Sequence, residues 1–98
     1  MKVIVEHKYT REEALEKVKA GLYEAGVRYG KMLTDVKEEW PDEYTGICSF
    51  KVLGSKIKAM VVVGPERVCM EGRIPVLLIG LTPQIEALLY ENMARVLS

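Results

Sequence analysis

With 98 residues, 49% of them hydrophobic and 29% charged, the chain is one small folded domain over residues 1–98 with room for a single two-layer core, not a disordered segment. Fourteen basic side chains balance fourteen acidic ones, which leaves no overall charge to attract nucleic acid or another polyanion. A membrane helix needs roughly twenty unbroken apolar residues; the apolar stretch after Ile74 is interrupted by Pro75, Gly80 and Thr82-Pro83-Gln84, so no transmembrane segment is expected.

From the start of the chain, Val3, Val5 and His7 alternate with Lys2, Ile4, Glu6 and Lys8, which predicts a strand over 2–8. Charge arrives too early for a secretory signal, and a cytoplasmic location is expected. In Thr10-Arg11-Glu12-Glu13 the hydroxyl can accept from the amide at 13 while Glu13 reaches back, a capping box that starts a helix. The helix buries Ala14, Leu15, Val18, Leu22, Ala25 and Tyr29. Each of Gly21, Gly26 and Gly30 weakens a helix interior by about 1 kcal/mol relative to Ala. The helix therefore either packs closely at its glycines or ends near Gly30.

A second strand over 34–40 sets Val36, Glu38 and Trp40 against Asp35, Lys37 and Glu39, with Pro41-Asp42-Glu43 as the turn. In the third strand Tyr44, Gly46, Cys48, Phe50 and Val52 face the core. Gly54-Ser55 closes a hairpin into a fourth strand with Ile57, Ala59, Val61 and Val63 inward, and Gly64-Pro65 turns into a fifth with Val68, Met70, Gly72 and Ile74 inward. Thr82 is the expected N-cap of a last helix, with Pro83 at its first position and Ile85, Leu88, Leu89, Met93 and Val96 buried. Strand, helix, four strands and helix make an α+β two-layer domain, an antiparallel sheet with both helices on one face.

No nucleophile–base pair, metal cluster or phosphate loop occurs, so the chain is expected not to be an enzyme and to use no cofactor. His7 is the only histidine and reads as a strand-end residue. The acids Asp35, Glu38, Glu39, Asp42 and Glu43 lack the oxygen-ligand spacing of a calcium loop. Cys48 and Cys69 fall on opposite strand faces and are expected to stay reduced. Lys51, Lys56, Lys58, Arg67 and Arg73 make the outer sheet face basic, but no aromatic side chain accompanies them there to stack a base, so no nucleic-acid partner is expected.

Two apolar surfaces are candidates for interaction. One is the outer face of the sheet, with Ile47, Met60 and Val62 beside Cys69. The other is the run Val76, Leu77, Leu78, Ile79 and Leu81, which is either a connection capping the core or an exposed edge that docks a partner. More apolar side chains are present than two helices can cover, and a homodimer through one of these surfaces is expected. The alternative function is carriage of a small apolar ligand between the sheet and the first helix, near Tyr29, Trp40 and Phe50.

Val3-Ile4-Val5-Glu6-His7 followed by Thr10-Arg11-Glu12-Glu13-Ala14, Trp40 before a turn leading to Phe50, Val68-Cys69-Met70-Glu71-Gly72, and a closing helix with Ile85-Glu86 form a pattern over nearly the full length. In these features the chain resembles the small bacterial polyhydroxyalkanoic acid system proteins found with polyester-granule genes. The resemblance implies a non-catalytic accessory protein of polyhydroxyalkanoate granules, binding or scaffolding through apolar surface. It implies no catalytic residue.

Overall fold

The computed structural model describes residues 1–98 and runs β1 (Lys2–Glu6), α1 (Arg11–Arg28), β2 (Thr34–Glu39), β3 (Thr45–Val52), β4 (Ser55–Val63), β5 (Arg67–Arg73), a 3-10 turn (Val76–Leu81) and α2 (Thr82–Val96). The five strands form one antiparallel sheet in the order β1-β5-β4-β3-β2, so the α+β architecture and element order agree with the sequence pattern. Side chains alternate across a strand, and in the central strand β4 this puts Ile57, Ala59, Val61 and Val63 in the core while Lys56, Lys58, Met60 and Val62 are exposed. Both helices cover the first of these faces, α1 toward β2 and α2 toward β1.

The capping box forms at α1: the Glu13 amide donates to Thr10 Oγ1, and the Thr10 amide donates to Glu13 Oε1, both at 3.1 Å. Both outcomes allowed by the glycines occur. The helix ends at Arg28, just before Gly30, and it packs closely at Gly21, where an added Cβ would lie 2.9 Å from Val96 of α2. Between the helices the buried Asn92 donates to the Gly21 carbonyl at 3.2 Å and accepts from Arg95 at 3.1 Å, so its amide is satisfied at both ends.

The start of α2 differs from the expectation. Thr82 has helical dihedrals and its hydroxyl donates to the Ile79 carbonyl at 2.8 Å, while Leu81 occupies the N-cap position. The 3-10 turn runs directly into α2, so the backbone at Thr82 is already helical rather than extended as a capping residue must be, and its hydroxyl bonds back to the preceding turn. Pro83 therefore falls at the second helical position and not the first, still within the turn whose amides need no intrahelical partner.

The β3–β4 connection is a two-residue loop in which Leu53 and Gly54 both have positive φ, 51° and 81°. That pair of left-handed residues matches the strand twist. Gly54 adopts it freely; Leu53 does so at a cost of about 1–2 kcal/mol. At the two sheet edges, β2 carries a bulge between Thr34 and Lys37 with Asp35 at φ 52°, and the Lys2 amide of β1 donates to Glu86 of α2 at 2.9 Å.

Trp40 is mostly buried because its ring lies flat on β3 at Gly46, where a Cβ would come within 2.9 Å of the indole. Its Nε1–H donates to Glu38 at 2.9 Å and the Lys19 ammonium sits 4.9 Å over the ring. Gly46→Ala should therefore cost about 1–3 kcal/mol in urea melts, with Trp40 emission moving to longer wavelength. Unchanged stability and emission would show that the indole does not rest on this strand.

Two acids at the head of α1 link pH to stability. Tyr44 donates to Glu12 at 2.7 Å, which holds the Glu12 carboxyl below its ordinary 4.5 and pushes the phenol up to about 12. The Thr10 amide and hydroxyl likewise lower Glu13. A carboxylate held lower in the folded state contributes stability above its ordinary value, and the contribution disappears as pH falls through the lowered one. The stability gap between wild type and the Glu12→Gln, Glu13→Gln double variant should thus be full at neutral pH and close on acidification. A gap that stays constant from neutral to strongly acidic pH would contradict these bonds.

Candidate functional site

With both helices on one side, the opposite face of the sheet is bare. Strand register places Ile47 beside Met60 and Met60 beside Glu71; in the next row Val62 lies between Thr45 and Cys69, and Ile4 lies beyond Cys69. Ile47, Met60 and Val62 are thus brought together as the alternation predicted. Ile4 belongs to the same patch and was missed. Its outward direction was visible in the sequence, but its neighbours are supplied by the pairing of β1 with β5 from the far end of the chain, which no local pattern encodes.

Next to this apolar centre stand Lys58 and Arg73, paired across strands in the adjacent row, and the Lys2–Glu71 ion pair at 3.2 Å, which continues the Ile47–Met60 row to the sheet edge. A shallow depression of about 510 Å³ lies over Met60, Val62, Cys69, Glu71 and Arg73. An apolar middle with a charged surround is the anatomy of a protein interface.

The run after β5 divides in two. A 3-10 helix repeats every three residues, so Leu78 and Leu81 share its inner side while the residues between them face away. Leu78 is 2% exposed and Leu81 packs partly on the core, whereas Val76, Leu77 and Ile79 are 84%, 88% and 65% exposed. Leu78 and Leu81 therefore leave the set of predicted interaction residues: they anchor the turn. Val76, Leu77 and Ile79 stay in that set as exposed aliphatics on a turn held from beneath.

Tyr29, Trp40 and Phe50 do not meet around a cavity. Phe50 is inside a continuous core of 21 buried residues that fills the space between sheet and helices, and the other two pack at its margin. A groove of about 560 Å³ opens instead between the second half of α1 and β2 and is lined by residues including Tyr23, Val27, Val36, Lys19, Asp35 and Glu38. It lies at the sheet margin with charged residues at its rim.

His7 is buried and uses both ring nitrogens. Nδ1 accepts from the Tyr9 amide at 3.2 Å, so Nε2 carries the proton and donates to the Gly64 carbonyl at 2.9 Å. The ring ties the end of β1 to the β4–β5 turn. No group of three or more His, Cys, Asp or Glu side chains is arranged to hold a metal ion, and no helix is long and apolar enough to cross a membrane.

Cys48 and Cys69 are free thiols on opposite faces of the sheet. Burial, then the nearby Glu38 charge, pushes the Cys48 thiol up to about 11, so it forms little thiolate near neutral pH. A thiol reagent should label Cys69 alone in the folded protein and both cysteines in denaturant. Labelling of Cys48 at the same rate as Cys69 in the folded state would mean that the two faces are wrongly assigned.

Fold and surface together define a two-layer α+β domain with one uncovered sheet face. Compared with protein-family models, with curated proteins and with solved structures, the chain has no match in any of the three.

Proposed function

We propose that the protein is a non-catalytic binding or scaffold module that self-associates through the bare face of its sheet. The observation that carries this is the contiguous patch of Ile4, Ile47, Met60, Val62 and Cys69 on a face that no helix covers. The occupant is a second copy of the chain, packed sheet on sheet. Five strands about 4.8 Å apart and three rows of outward side chains make a face of roughly 500 Å². Two such faces bury about 1,000 Å² in total, which reaches the lower bound of a specific protein interface. The mixed charges at its border suit a rim that excludes water without being buried.

The accessory role at polyhydroxyalkanoate granules implied by the resemblance is part of the same proposal. A scaffold that pairs through one surface and keeps further aliphatic side chains exposed has the parts needed to gather on a hydrophobic body. Carriage of a small apolar ligand is less well supported, because Phe50 is buried in the core and the groove between α1 and β2 is open to solvent, with Lys19, Asp35 and Glu38 among its lining.

Sedimentation at tens of micromolar tests the association. The wild type should run as a dimer, and Met60→Glu with Val62→Glu should run as a folded monomer, since both side chains are exposed in the single chain and their change removes only the contact. A monomeric wild type would refute self-association, and a dimer that survives the double substitution would move the seam off the sheet face.

A further inference from the structure

The molecule measures 37 × 22 × 22 Å. An 18-residue helix is about 27 Å long, so the long axis follows the helices and strands, and the connecting loops are gathered at two poles. The turn after α1, the β3–β4 loop and the 3-10 turn after β5 all lie at one pole. Each of the three exposes aliphatic side chains: Met32 from the first, Leu53 from the second, and Val76, Leu77 and Ile79 from the third. Leu53 is 81% exposed at φ 51°, so exposure and backbone conformation both disfavour leucine at the position it occupies.

Charge is sorted along the same axis although the chain is neutral as a whole. The apolar pole carries Lys31 and Lys56, with Lys58 and Arg73 paired one step behind on the sheet face, and none of the four is in an ion pair. Of the acids near it, Asp35 pairs with Lys51 and Glu71 with Lys2, both at 3.2 Å, while Glu86 accepts the Lys2 amide and keeps its charge. Glu6, Glu12, Glu13, Asp42, Glu43 and Glu66 lie at the opposite pole, where Lys8, Arg11 and Arg67 only partly offset them.

We propose that the pole formed by Met32, Leu53, Val76, Leu77 and Ile79 is a docking surface for an anionic lipid bilayer. Aliphatic tips from three separate loops, spread over a cross-section of 22 Å and each standing out into water, suit a soft apolar medium better than a shaped protein partner. The cations beside them stand where lipid phosphates and carboxylates lie when the tips enter the acyl boundary. Because Leu78 is buried beneath the 3-10 turn, Val76, Leu77 and Ile79 are presented on a fixed support, and little ordering accompanies insertion. The aliphatic tips are separate from the apolar centre of the sheet face used for self-association, and the Lys58–Arg73 row borders both.

Flotation of the full chain with lipid vesicles tests the proposal. The protein should float with phosphatidylcholine vesicles containing phosphatidylserine at low salt, and at least about tenfold less with phosphatidylcholine alone or in strong salt, where charge is screened. Val76→Ser with Leu77→Ser should weaken partitioning by about tenfold or more, because aliphatic burial drives the insertion. Leu53→Asn gives a control that cannot fail through misfolding: asparagine tolerates the left-handed backbone, so this variant should melt at or above the wild-type temperature and still bind less. Lys56→Glu with Arg73→Glu should remove the preference for anionic vesicles, and Met60→Glu with Val62→Glu should float like the wild type. Absence of flotation, equal binding to neutral vesicles, or wild-type binding by both the Val76/Leu77 and the Leu53 variants would overturn the proposal. Loss of binding in the Met60/Val62 variant would overturn the assignment to the pole.

Discussion

The structure depends on one constraint, the two-residue period of the central strand β4. Its inward residues Ile57, Ala59, Val61 and Val63 are almost fully removed from water, and every other core element packs on them or on strands registered to them. A shift of the register by one residue would put Lys56 and Lys58 under the helices, where unpaired charge is very costly. That same constraint leaves the other face without a layer. The bare face is a direct result of burying one parity completely with only two helices available.

Close approach does the rest of the fitting. Gly21 lets α2 settle against α1, and Gly46 provides the floor for the Trp40 ring. In both places the missing side chain makes room for a large neighbour, so sheet and helices close over one continuous cluster of 21 buried residues. A filled core moves binding capacity to the outside, onto the sheet face and the loop ends.

Strand faces, the α1 capping box and the element order were legible in the sequence because each rests on residues a few positions apart. The pole and the full outer patch were not. Ile4 joins Cys69 only through pairing between the first and last strands, and Met32, Leu53 and Leu77 share an end of the molecule only once the sheet order is known. The apolar run after β5 was ambiguous for a different reason: Val76, Leu77, Leu78 and Ile79 are alike in polarity, and only the three-residue repeat of the turn separates the anchor Leu78 from its exposed neighbours. Thr82 misled because a good capping residue is uninformative when the preceding turn is already helical. For Tyr29, Trp40 and Phe50, aromatic content suggested a cavity, whereas aromatic rings fill space as readily as they line it.

The two edges of the sheet bear on how copies of the chain can meet. An open strand edge is a template for lateral polymerisation, in which each copy adds its strands to the next without limit. Here β2 is bent by the bulge at Asp35, and Glu86 takes up the Lys2 amide on β1, so neither edge offers a long, flat row of free backbone groups. Growth in the plane of the sheet is obstructed while stacking across it is not. Association is thereby turned from an open-ended fibre geometry toward a closed pair, and the number of copies is limited by backbone shape before any side chain at the seam selects its partner.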